Sequence, residues 1–297
     1  VNDLSSGRPV PFSHRVPEVS NPRSDRVKAV RALSGRSARS RHQQFLVEGP
    51  QGVREAVRHG AHLVRDVYVT SSAAERYAEI VDDALDQRLY VHLTTPEAFE
   101  AMSQDAQGIL AVVRVEELML DEVLARGPRL VAVLATVRDP GNAGTVIRAA
   151  DAAGADLVVL AGESVDVHNP KVVRSTAGSL FHLPVVTGAG LEETVDALRA
   201  AGLSVLAADG AGDHDLDDLL DVAGSAPSGT PDLARPTAWV FGNEAWGLRP
   251  QDRELSDAVV SVPLRGLAES LNLATAATVC LYASSRAHRP RVTDEAP

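Results

Sequence analysis

Residues 129–137, RLVAVLATV, place β-branched and small apolar side chains next to one another with no polar face. A strand of that kind needs cover on both sides, which is the situation of an interior strand in a parallel sheet. Related runs recur at 156–162 (DLVVLAG), 203–209 (LSVLAAD), 237–244 (TAWVFGNE) and 257–264 (DAVVSVPL), with a shorter strand region in LFHLPVVTG at 180–188. Helical patterns lie between them at 141–155, where Gly154 closes the helix, and at 191–202, and a last helix is expected over 270–287. This alternation predicts an α/β domain over 129–297, a mostly parallel sheet with helices on both faces. Residues 22–113 predict a smaller α/β domain with strands at 44–48, 64–70, 89–93 and 108–113 and helices at 52–59 and 72–86. A linker helix over 114–128, ending at Gly127-Pro128, joins the two, and the Pro- and Ser-rich residues 1–21 read as a flexible lead-in.

Charge and cysteine content narrow the partners. The net charge of −11 opposes binding to a nucleic acid, but residues 22–42 carry Arg23, Arg26, Lys28, Arg31, Arg36, Arg39 and Arg41 against Asp25 alone. That stretch reads either as a solvated helix and turn or as an RNA-binding patch, with Arg36, Arg39 and Arg41 as its candidates. The single cysteine, Cys280, excludes an intramolecular disulfide and fits a cytoplasmic protein. Surrounded by Val279 and Leu281, it reads as a small hydrophobe rather than a nucleophile. No apolar run is long enough to span a bilayer, so no membrane partner is expected. Asp213, His214, Asp215 and Asp217 are together in sequence but repeat no metal-ligand spacing, so a solvated acidic loop is expected and no metal.

In open α/β sheets, ligands bind outside the carboxyl ends of the strands. Three strand ends here are loaded with glycine and polar groups: RDPGNAGTVIR after the strand at 129–137, GNEAWGL after 237–241, and RGLAESLN after 257–264. None matches a dinucleotide, triphosphate or hydrolase-elbow motif. Asn142 is placed to cap its helix. Arg148 either pairs with Asp151 three residues on or presents a guanidinium to phosphate or developing negative charge. Glu244 reads as a turn cap or a site carboxylate. Ser270 suits a helix N-cap, whereas Asn272, in the first turn of an apolar helix, needs a partner for its amide. Gly242 admits close approach of a ligand to the backbone.

Together, DPGNAGTVIRAADAAGAD, VFGNEAWGL and VPLRGLAESLNLATAATVCLY, in that order, resemble the three motifs of the SpoU (TrmH-like) branch of the SPOUT RNA methyltransferases. FLVEGPQGVREAV and AQGILAVV are similar to the small substrate-binding domain that often precedes that catalytic domain. The resemblance implies a deep C-terminal trefoil knot, a homodimer, and S-adenosylmethionine as methyl donor to a ribose 2′-hydroxyl of RNA, with ribosomal RNA favoured over tRNA. It implies a catalytic set of Asn142, Arg148, Glu244, Ser270 and Asn272, in which Glu244 orients Arg148 or the ribose. It also implies that Gly242, Val262, Leu264 and Leu271 hold the cofactor. A tRNA 2′-O-methyltransferase and a non-catalytic knotted RNA-binding protein are the alternatives. The last helix is apolar on nearly every side and needs cover on more than one face, which an adjacent helix of the chain or a second copy could supply. The resemblance implies the second copy, and with it a homodimer whose active site is completed across the interface.

Overall fold

The computed structural model describes residues 11–289, which form two compact units, 11–116 with 168–174 and 117–167 with 175–289. No helix among the described residues is long and apolar enough to cross a membrane.

The first unit holds a four-stranded sheet of β1 (Gln44–Glu48), β2 (Val64–Thr70), β3 (Tyr90–Thr94) and β4 (Ile109–Arg114), in the order β1-β4-β2-β3. β4 runs antiparallel to both β1 and β2, while β2 and β3 are parallel. The helical pattern at 72–86 resolves into two helices, Ser71–Arg76 and Ala78–Asp86, because Tyr77 leaves the helical region at φ −117°, ψ 39°.

Two expectations for this unit need correction. Residues 11–21 are anchored rather than a free lead-in. The backbone N–H groups of Glu18 and Val19 donate to the Leu93 carbonyl at 3.0 and 3.2 Å, and the N–H of Thr95 donates to the Val19 carbonyl at 3.0 Å. Val19 is buried in the core, which supplies the reason for the anchoring. Residues 1–10 lie outside the described residues. Arg39 is buried, 5% exposed, and its Nη1 donates to the carbonyls of Leu33 at 3.1 Å and Ser34 at 2.7 Å. It therefore satisfies carbonyls at the end of the Asp25–Ala32 helix and is not an RNA-facing group. Arg36 and Arg41 are exposed.

The second unit holds a seven-stranded sheet of β5 (Leu130–Ala135), β6 (Leu157–Ala161), β7 (Val185–Thr187), β8 (Ser204–Ala208), β9 (His214–Asp215), β10 (Thr237–Phe241) and β11 (Ala258–Ser261). The order is β7-β6-β5-β10-β8-β11-β9, and every pair is parallel. β5 and β10 are buried throughout, as their unbroken apolar sequences require. Ala238 and Val240 face the layer that contains Val195 and Leu198 of the Leu191–Ala200 helix. Trp239 points the other way, where its Nε1 donates to Ser284 Oγ of the last helix at 2.9 Å. Helices thus cover both faces.

Several boundaries move for local reasons. The connecting helix is only Leu120–Leu124, with Asp121 and Glu122 in its first turn and Val123 and Leu124 buried. Of 180–188, only 185–187 is strand, since Ser179–Phe181 forms a 3-10 turn and Pro184 follows it. The acidic segment is ordered. Asp215 caps the Leu216–Asp221 helix, Leu216 and Leu219 are buried, and Asp232 Oδ1 accepts from the N–H groups of Gly224 and Ala234.

Candidate active site

The helix after β5 spans Pro140–Ala153 and is capped by Asp139, whose Oδ1 accepts from the N–H of Asn142 at 2.7 Å. Asn142 is therefore inside the first turn, not the cap, because Pro140 occupies the N1 position that proline favours. This leaves the Asn142 side chain free for other partners.

Those partners come from the other two strand ends. Glu244 Oε2 accepts from the N–H of Arg138 at 3.2 Å, and its Oε1 accepts from the N–H of Asp139 at 3.0 Å and from Asn142 Nδ2 at 3.4 Å. Asn142 Oδ1 accepts in turn from Asn272 Nδ2 at 3.1 Å. Asn272 Oδ1 accepts from the N–H groups of Ala274 at 2.9 Å and Thr275 at 3.4 Å. The last helix accordingly begins at Leu273, with Asn272 rather than Ser270 as its cap. One continuous chain of hydrogen bonds ties the loops after β5, β10 and β11 together.

Two residues that sequence reasoning did not single out hold this arrangement. Asn243 is 6% exposed, and its Nδ2 donates to the Thr136 carbonyl at 2.8 Å while its Oδ1 accepts from the N–H of Ala245. Thr136 has φ 56°, a conformation that is unusual for a β-branched residue and is kept only where the surroundings enforce it. The Asn243 bond and the bond from the Thr136 N–H to the Ala161 carbonyl at 3.2 Å do so. The turn that results aims the amides of 138 and 139 at Glu244. An asparagine one glycine past the apolar run AWVF was the signal available in the sequence.

The remaining candidates fall into two sets. Arg148 is exposed, makes no contact with Glu244 and forms no pair with Asp151, which instead meets His182 Nδ1 at 2.8 Å. Ser270 is exposed in the loop before the last helix. Leu264 and Leu271 expose 41% and 36% of their surface, and Val262 is half-buried. None of the backbone N–H groups from 264 to 271 donates a hydrogen bond within the described residues. Gly242 is required for a reason other than the one expected. A Cβ there would lie 2.3 Å from the Gly247 carbonyl carbon and 2.4 Å from the Leu248 nitrogen, so the turn's own backbone fills the space. Arg265 pairs with Asp217 at 2.6 Å, and Cys280 is buried, its thiol pushed up to about 12 by burial and so unreactive.

Polar loops gathered outside the carboxyl ends of an all-parallel sheet define an α/β protein with a ligand site at those ends. Residues 129–282 match the SpoU rRNA Methylase family, and residues 24–111 match the MRM3-like substrate binding domain. The chain belongs to the SpoU family. It is 33% identical, over 95% of its own length and 95% of the relative's, to a 23S rRNA (uridine(2479)-2′-O)-methyltransferase of Streptomyces viridochromogenes. To the 23S rRNA (guanosine(2553)-2′-O)-methyltransferase RlmP of Bacillus subtilis it is 32% identical, over 89% of this chain and 98% of that one. Among solved structures, it resembles the AdoMet-bound rRNA methyltransferase of Sinorhizobium meliloti with a TM-score of 0.75 and 27% identity, over 90% of this chain and 97% of that one. The AdoMet complex of the SpoU methyltransferase AviRb from S. viridochromogenes gives 0.73 and 33%, over 89% and 98%.

Proposed function

We propose that this chain transfers the methyl group of S-adenosylmethionine to a ribose 2′-hydroxyl of ribosomal RNA, in the cytoplasm and as a homodimer. The observation that carries the reading is the hydrogen-bonded chain Glu244–Asn142–Asn272, which joins the three family motifs at one place. The relatives named for 23S rRNA 2′-O-methylation share nearly the whole length of the chain, which supports ribosomal RNA over tRNA. The domain reading is the same, residues 22–113 gripping RNA and residues 129–297 performing the transfer.

The loop at 262–272 fits the cofactor. Its unpaired amides at 264–271 suit the acceptor atoms of adenine and ribose, and the exposed Leu264 and Leu271 suit an apolar base face. Val262 and the tight Gly242 turn would complete that wall. S-adenosylmethionine, when bound, supplies an electrophilic methyl on a sulfonium whose leaving group is neutral. What remains for the protein is to position and activate a weakly acidic hydroxyl.

Arg148 is assigned that activation. A guanidinium does not give up its proton in proteins, so it acts electrostatically, stabilising the developing alkoxide and holding the adjacent phosphate. Both oxygens of Glu244 are engaged with the loop after β5. It therefore positions the site rather than accepting a proton. Ser270, with its hydroxyl exposed beside Asn272, lines the acceptor pocket.

The knot and the dimer belong to the same proposal. The insertion of β11, late in sequence, between the earlier strands β8 and β9 supports a threaded C-terminal segment. Val279 and Tyr282 expose 39% and 50% on the last helix, and Leu267 is fully exposed, an apolar surface that a second copy would cover.

The test is transfer of labelled methyl from S-adenosylmethionine to transcribed ribosomal RNA, followed by alkaline hydrolysis. A 2′-O-methyl removes the hydroxyl that alkali needs, so the label should remain in an alkali-resistant dinucleotide. Label released in mononucleotides, or accepted by tRNA alone, refutes the reading. Light scattering should give twice the chain mass of 31.4 kDa. A fully active monomer would remove the dimer from the mechanism.

A further inference from the structure

The chain has two tryptophans. Trp239 is wholly buried, whereas Trp246 exposes 45% of its surface on the short turn closed by the Asn243–Gly247 bridge. Two guanidiniums stand over its ring, Arg138 with its Cζ 5.6 Å from the centroid and Arg249 at 5.8 Å. Arg138 has one weak ion pair, with the exposed Glu163 at 3.4 Å. The same two loops build the site, since Trp246 is two residues from Glu244 and the N–H of Arg138 is one of the donors to that carboxylate.

We propose that Trp246, Arg138 and Arg249 form a stacking platform for a single-stranded nucleotide of the RNA substrate, next to the ribose that receives the methyl group. Resting on the proposed methyl transfer to RNA, the inference names how that site takes its substrate. Exposed aromatic rings take bases of any sequence by stacking, and arginines beside them take the phosphates. A base on the open part of the Trp246 ring has two guanidiniums beside it for its flanking phosphates. The charge argues against the cofactor as occupant, because two fixed cations repel a sulfonium and attract a polyanion. On a protein of net charge −11, a pair of arginines held on one ring concentrates positive charge beside the loops of the site.

Tryptophan fluorescence of the full chain titrated with a short oligouridylate is the direct test. The platform requires quenching in the wild type and its loss in Trp246→Phe, where only the buried Trp239 still emits. In methyl transfer to transcribed ribosomal RNA, Trp246→Ala and the Arg138→Gln/Arg249→Gln pair should each raise KM for RNA by about tenfold to a hundredfold. Their kcat should change little, and Trp246→Phe should recover most of the loss. S-adenosylmethionine affinity by calorimetry and the mass by light scattering should stay at wild-type values. An unchanged KM, quenching that survives in Trp246→Phe, a cofactor affinity that falls in parallel, or a shift to monomer would each overturn the platform. Quenching is read without any methyl transfer, so a wild type that fails to methylate defeats the proposed reaction and leaves the platform to be decided by fluorescence.

Discussion

His92, on β3, is a charged clamp within the first unit, and replacing it with phenylalanine isolates what the clamp contributes. Its side chain is 11% exposed, with Nε2 2.8 Å from Asp66 Oδ1 and Nδ1 3.2 Å from Glu18 Oε2. Phenylalanine keeps the stack on Tyr68, where the ring centroids are 5.0 Å apart, and deletes both ion pairs. Removing one partner of a buried pair costs about 3–5 kcal/mol. Asp66 retains Arg65 at 3.2 Å, and Glu18 is half exposed, so its share is below about 1 kcal/mol. The expected loss for His92→Phe is therefore about 2–3 kcal/mol. The hydrogen bond to Asp66 raises the His92 pKa against burial, with Glu18 adding to the rise. Burial pushes Asp66 up, but the hydrogen bond and charge of His92, with Arg65, hold it below the usual range. Since the folded His92 value is raised, its contribution is complete below about pH 6.5 and fades as pH rises through the folded value. The Asp66 contribution is complete above about pH 3.9 and is lost as pH falls through its lowered value. The clamp is thus strongest between roughly pH 4 and 6.5. In the neutral form, Nδ1 can accept from Arg26 Nη1 at 3.3 Å, so the site changes partner as well as charge. Amide hydrogen exchange over 18–19 and 90–94, corrected for intrinsic rates, should show wild-type protection declining above about pH 6.5. His92→Phe should be lower and flat across that window. A variant that follows the wild-type pH profile, or loses less than about 1 kcal/mol, refutes the clamp.

Arg148→Ala should lower methyl transfer by roughly a hundredfold to a thousandfold with S-adenosylmethionine affinity within about twofold, measured by single-turnover transfer and calorimetry. Cofactor binding that falls with activity would move Arg148 out of the activating role. Arg36→Gln with Arg41→Gln should weaken RNA binding and reduce the slope of log affinity against log salt by about 1–2. Filter binding across a salt series reads this directly, and an unchanged slope makes the stretch a solvated face. Asn243→Ala leaves the Thr136 carbonyl without its amide donor and should cost about 1–3 kcal/mol in denaturant unfolding, with loss of activity beyond the loss of fold.

The sheet of the second unit was legible because burial on both faces writes itself into unbroken apolar runs, and β5, β6 and β10 fall inside the segments that the pattern marks. Strand order was not legible. Nothing in the sequence of β11 says that it inserts between β8 and β9, because pairing partners are chosen by packing, not by local pattern. Polar roles were legible only in part. Asn142 and Ser270 both have the chemistry of a cap, yet Asp139 and Asn272 do the capping, since a capping preference fixes a residue type and not the register of a helix start. Arg39 misled for a related reason. A run of arginines states a charge, but which one turns inward depends on carbonyls that exist only once the Asp25–Ala32 helix has ended beside it.

The placement of Arg148 bears on how the site is completed. It follows Asn142 by six positions on one helix, about 9 Å along the axis and about 120° around it. Asn142 is fixed toward Glu244 and Asn272 by its hydrogen bonds, so Arg148 faces away from that network. It is exposed and has no ion-pair partner among the described residues, on a helix half of whose positions are buried. One chain therefore brings Glu244, Asn142 and Asn272 together and presents Arg148, the proposed activating cation, on another side of the helix. A two-fold partner that covers Val279 and Tyr282 would bring such a cation to the network of the other copy, and theirs to this one. On this arrangement, mixing Arg148→Ala chains with Glu244→Ala chains, each inactive alone, should recover part of the wild-type activity, because a mixed dimer holds one site with both groups intact. No recovery, with mixed dimers demonstrated by mass spectrometry, would place both groups of each site in a single chain.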